Sequence, residues 1–75
     1  MTSEELNALK RQRPFRPFVV ITVEDEVHEV MQPGLILAIG DDVLIGFSDS
    51  KDPYPIAKDY VYMGLEHIAR VEAID

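Results

Sequence analysis

The stretch Val23–Glu29, "VEDEVHE", places Glu24, Asp25, Glu26, His28 and Glu29 within seven residues. Carboxylates and a neutral imidazole suit a divalent cation, and a histidine among acids could shuttle protons. On an extended strand His28 shares a face with Glu24 and Glu26, while Asp25 and Glu29 take the other. No metal-loop spacing is matched, and a charged hairpin turn that keeps strand edges soluble accounts for the same residues. An enzyme would need Glu26, His28 and Glu29 to converge in a cleft. The other histidine, His67, like His28, has no Ser, Thr or Cys beside it in an elbow motif, and the chain has no Cys at all. The reading is a protein with no catalytic residue, no cofactor and no metal.

Other residues carry binding chemistry. Lys10, Arg11, Arg13 and Arg16 face only Glu4 and Glu5 in residues 1–16, a local charge of +2, while residues 17–75 carry −9. An acidic body repels phosphate backbones, so general nucleic-acid binding is disfavoured. RNA contact through those four basic residues is the alternative reading. Tyr60 and Tyr62 share a strand face and, with Tyr54, could stack bases; acidic surroundings favour a barrel wall or a subunit contact instead. Pro14-Phe15-Arg16-Pro17-Phe18 has a Pro-x-x-Pro spacing that a peptide-binding groove could read if it were exposed. Burial of Phe15 and Phe18 as anchors between a helix and a strand is preferred, because so short a chain cannot leave two of its three Phe residues in water. Asp41, Asp42, Asp49 and Asp52 read as turn residues.

The elements that position these residues follow from local pattern. Residues 3–12 read as a helix, with Thr2-x-x-Glu5 as a capping box, acids at its start and bases at its end. Leu6 and Leu9 give it one narrow apolar stripe. Pro14 and Pro17 end helical structure and make their preceding residues extended. "FVVITV" (18–23) reads as a strand, "EDE" (24–26) as a turn and "VHEVM" (27–31) as its hairpin partner, closed by Gln32-Pro33-Gly34. "LILAI" (35–39) and "VLIGF" (43–47) make a second hairpin around "GDD". Residues 48–57 are a loop, "DYVYM" (59–63) is a strand, and residues 64–74 suggest a 3₁₀ turn running into a last strand.

One helix (within 1–13) followed by short strands and frequent turns (17–75) predicts a single, mainly β domain: a small five-stranded barrel with a short N-terminal α-helix. One feature does not fit a lone barrel. Val19, Val20, Ile21 and Val23 occupy both strand faces, and "LILAI" is apolar throughout. An outward apolar face remains that the helix cannot cover, which implies self-association or a protein partner. Val19, Ile21, Val23, Tyr60, Tyr62 and Met63 are the interface candidates. Seventy-five residues without disulfides make a marginal core, which points the same way. No apolar run reaches the roughly 18 residues of a membrane span, and "MTSEELNALK" lacks a secretory h-region. A cytoplasmic protein is the expectation.

The runs "LNAL…RPFRPFVV" and "LEHIARVE" look like those of a widespread group of short bacterial proteins built as helix, Pro-Phe-Arg-Pro-Phe, strand, Asp-Gly turn, His-Pro pair and a terminal Leu-x-His-Ile segment. The resemblance spans nearly the whole chain, with two departures: Glu24-Asp25-Glu26 replaces Asp-Gly, and Gln32-Pro33 replaces His-Pro. It implies a small Sm-like or SH3-like barrel and no activity. The element order also resembles the Sm-like fold, whose bacterial RNA chaperone forms rings through its last two strands; here "YVYMGLEHIARVE" takes that place. The Lys-His pair with which that chaperone contacts RNA is not reproduced in Met63-Gly64-Leu65-Glu66-His67. Fold likeness alone carries no function.

Overall fold

The chain enters its fold through helix α1, Ser3–Lys10. The capping box forms: the Glu5 N–H donates to Thr2 Oγ1 at 3.2 Å, and the Thr2 N–H donates to Glu5 Oε1 at 3.1 Å. The helix ends two residues before the expected limit, and the Arg13 guanidinium donates to the Lys10 and Gln12 carbonyls beyond it. The Arg13–Pro14 peptide is cis. Leu6 is buried, while Leu9 and Phe15 pack half-buried against the core. The Phe15 and Phe18 rings lie 6.0 Å apart, so the Pro-Phe pairs join helix to strand. The computed structural model describes residues 1–49 and 57–74. Tyr54, Asp52 and most of the 48–57 loop therefore lie outside the described residues.

Six strands follow: β1 (Phe18–Thr22), β2 (Val27–Val30), β3 (Ile36–Ile39), β4 (Asp42–Phe47), β5 (Asp59–Gly64) and β6 (Ile68–Ala73). They form two antiparallel three-stranded sheets, ordered β2-β1-β6 and β3-β4-β5. The expectation of one closed five-stranded barrel is corrected here. Gln32-Pro33-Gly34 does more than close β2: Pro33–Leu35 is a 3₁₀ turn that carries the chain from the first sheet to the second. Pro33 has no N–H for a ladder, so β2 and β3 cannot run through as one strand. Leu65–His67, the expected 3₁₀ turn, returns the chain to the first sheet. "VLIGF" pairs on both sides and so becomes the centre of its sheet.

The core lies between the sheets. Phe18, Val20 and Val30 meet Ile36, Ala38, Val43 and Ile45, with Leu65 and Ile68 from the second 3₁₀ turn and its exit. Leu6 enters the same cluster from the helix. Backbone bonds fasten the corners: Val23 N–H to the His67 carbonyl at 2.8 Å, and Leu65 N–H to the Asp41 carbonyl at 2.7 Å. Buried Thr22 organises the first hairpin, its hydroxyl accepting from the Glu24 and Glu26 N–H groups. Asp25 in that turn has φ +65°, the left-handed region, where an aspartate is tolerated and glycine is at ease. Among the described residues no helix is long and apolar enough to cross a membrane.

Two stability changes are expected in urea unfolding. Leu6→Ala should cost about 2–5 kcal/mol, the range for a buried leucine, while Val27→Ala at an exposed site should stay within about 0.5 kcal/mol. At the left-handed position Asp25→Ala should lose about 1 kcal/mol, and Asp25→Gly should lose nothing.

Candidate interaction surface

Strand alternation sorts the second sheet into two faces. Ile36, Ala38, Val43 and Ile45 point to the core, with Val61 and Met63 packed against it half-buried. The opposite parity carries Leu37, Ile39, Leu44, Tyr60 and Tyr62. The register lines them up: Leu37, Leu44 and Tyr62 make one cross-strand row, and Ile39, Asp42 and Gly64 the next. Leu37 is 47% exposed, Ile39 68%, Tyr60 64% and Tyr62 63%, so this apolar face lies open to water. A shallow depression of about 250 Å³ runs between Leu37, Ile39, Leu44 and Tyr62. At the other end of the sheet the face is closed. A Cβ on buried Gly46 would lie 2.9 Å from Ala57 Cβ and 3.5 Å from Leu35 Cδ2, so those two side chains already cover it.

The face has an acidic element. Tyr62 Oη donates to Asp42 Oδ2 at 2.7 Å across the sheet. That bond raises the Tyr62 phenol above the ordinary tyrosine value, with smaller contributions from burial and from the carboxylate charge. Asp59 at the start of β5 accepts from the Tyr60 N–H but has the opposite parity, that of Val61 and Met63. The ion pairs among the described residues are Lys58–Asp49 and Arg70–Glu72, so Asp42 is in no ion pair among them.

The six interface candidates separate. Tyr60 and Tyr62 sit together on the open face, while Met63 turns inward, half-buried. Ile21 is only 6% exposed and Val19 is half-buried. Both point out of the first sheet, Ile21 paired with Arg70 and Val19 with Glu72 of β6. Val23 is exposed in the hairpin turn. Leu37, Ile39 and Leu44 complete the open face and were not among the sequence candidates. The signal was present in the unbroken apolar run 35–39, but its parity was not.

The chemistry-bearing stretch is dispersed. His28 points inward opposite Val20, its ring 6.3 Å from that of Phe47, while Glu29 points outward opposite Val19. Glu24, Asp25 and Glu26 are exposed in the turn. Glu26, His28 and Glu29 therefore do not converge, and among the described residues no three His, Asp or Glu side chains are placed to hold a metal ion. His67 is exposed, in a shallow cleft with Glu24 and Glu26. Of the basic residues, Lys10 donates its ammonium to the Ile36 carbonyl at 2.8 Å, and Arg13 is bonded to the end of the helix. Arg11 and Arg16 are exposed with no partner among the described residues. Comparison of the chain with protein-family models, curated proteins and solved structures finds no match.

The Tyr62–Asp42 bond has a titration signature. The fold favours the neutral phenol, so this increment of stability is full below the ordinary tyrosine value of about 10 and is lost as pH rises past the raised one. In an ultraviolet titration the contribution removed by Tyr62→Phe should come from the late-ionising end, and Asp42→Asn should bring it earlier.

Proposed function

We propose that this protein is a non-catalytic interaction module that self-associates through the outer face of the β3-β4-β5 sheet. One observation carries the reading: Leu37, Ile39, Leu44, Tyr60 and Tyr62 form a continuous apolar face that nothing in the described chain covers. Scattered surface hydrophobics need no explanation, but a contiguous face does. With about 150–250 Å² per tyrosine side chain, the face offers on the order of 500 Å². A contact using it on both sides would bury on the order of 1,000 Å², the lower end for specific interfaces. The association is accordingly weak and concentration-dependent. The dispersal of Glu26, His28 and Glu29 supports the non-catalytic part of the reading.

The finer fold reading is a small Sm-like or SH3-like barrel, related to the short bacterial proteins with the Pro-Phe-Arg-Pro-Phe run and working in the cytoplasm. It is supported by the leading helix, by β1 pairing with both its neighbour and the last strand, and by the 3₁₀ turn before β6. RNA binding through Lys10, Arg11, Arg13 and Arg16 is the weaker alternative, because Lys10 and Arg13 are engaged within the fold.

The test is molar mass by light scattering across a wide concentration range, for the wild type and for Leu37→Lys/Ile39→Lys. The wild type should gain mass with concentration. The double variant should remain monomeric with an unchanged thermal midpoint. A wild-type monomer at the highest concentration, or a double variant that assembles normally, would refute the reading.

A further inference from the structure

Charge decides how one copy meets another. Two copies of a chain with net charge −7 repel. Packing the same face on both sides would also take two Asp42 carboxylates into one apolar contact without an ion-pair partner. The chain nevertheless holds a complementary surface. Arg11, Arg13, Pro14 and Arg16 form an exposed corner after α1, in the one part of the chain with net positive charge. Arg11 and Arg16 have no partner among the described residues. The open face, for its part, presents the chemistry that takes a guanidinium: exposed tyrosine rings for stacking and the carboxylate of Asp42 for charge-assisted hydrogen bonds. We infer that self-association is head-to-tail, the arginine corner of one copy docking on the Tyr60–Tyr62–Asp42 face of the next. This rests on the proposed self-association and adds its geometry. A contact between two different surfaces leaves one of each free, so it propagates until a ring closes or continues as an open chain.

The two geometries differ in the sign of their salt response. Head-to-tail contact is held partly by attraction between unlike charges, so added salt weakens it. Face-to-face contact works against like charges, so added salt strengthens it. They also differ under mixing. The corner variant Arg11→Glu/Arg16→Glu keeps its open face, and the face variant Leu37→Lys/Ile39→Lys, which repels the arginines, keeps its corner. The experiment is sedimentation velocity on the wild type at low and high salt, on each variant alone and on an equimolar mixture, with circular dichroism and thermal melts to confirm that both variants are folded. The expected result is wild-type assembly weakened by salt, each variant alone at least tenfold weaker in assembly, and a mixture that forms one-to-one dimers and grows no further. Wild-type assembly that salt strengthens, or a corner variant that assembles as well as the wild type, overturns the head-to-tail geometry and leaves self-association standing. A wild type that stays monomeric overturns both. If either variant fails its folding control, Arg11→Gln/Arg16→Gln and Tyr60→Ser/Tyr62→Ser take their places under the same criteria.

Discussion

The contact on which the fold depends is Leu6 of α1, inserted among core residues drawn from both sheets. Strands of four to six residues cannot enclose a large core, and an eight-residue helix is not stable in water by itself. Each part therefore needs the other. The helix is started by its capping box and ended before the Pro-Phe pairs. Lys10 at its end then reaches the Ile36 carbonyl of β3. That bond occupies an outward acceptor on an edge strand, where an unoccupied one would invite pairing with another chain. Leu6 supplies the apolar contact, and Lys10 fixes the helix along the edge.

Much of this was legible in the sequence because it rests on local chemistry. The capping box, the proline stops, the hairpins and the 3₁₀ turn before the last strand each follow from a few adjacent residues. The division into two sheets was not legible. Whether Gln32-Pro33-Gly34 ends a strand or turns a corner depends on where β3 goes next, which is a long-range matter. The open face was half legible. "LILAI" announced one apolar face too many, but alternation shows only that two faces exist. Core packing decides which of Ile36 and Leu37 is inside. The candidates Val19 and Ile21 were chosen for their outward parity in β1, and that parity is right. Their partners across the sheet, Arg70 and Glu72, lie far along the chain, and no local pattern reveals that pairing.

Net charge hid a second distinction. A value of −7 describes an acidic protein, but the charge is uneven, +2 over residues 1–16 and −9 over residues 17–75. The basic side chains gather where the helix meets the proline segment, because a helix C-terminus favours cations and the Pro-Phe pairs bury the phenylalanines while the arginines between them stay in water. Glu24, Asp25, Glu26 and Asp41 occupy the hairpin turns, where aspartate is a preferred residue. Local preferences that serve folding thus segregate the charges in space. A surface divided in this way is disposed towards unlike contact, whatever its total charge.

The period of two along a strand explains why the most reactive-looking stretch is dispersed while an unremarkable one gathers on one face. His28 and Glu29 are neighbours in the chain, so the pleat sends one to the core and the other to solvent. Proximity in sequence guarantees separation in space. Tyr60 and Tyr62 are two apart, so the same pleat puts them on one face. Residues 37, 39 and 44 join them because β3 and β4 pair in a register that keeps equal parities together. Chemistry between adjacent strand residues is therefore dispersed by the fold, and chemistry at alternate residues is concentrated. Here the concentrated set is aromatic and aliphatic, with the carboxylate of Asp42 in its midst.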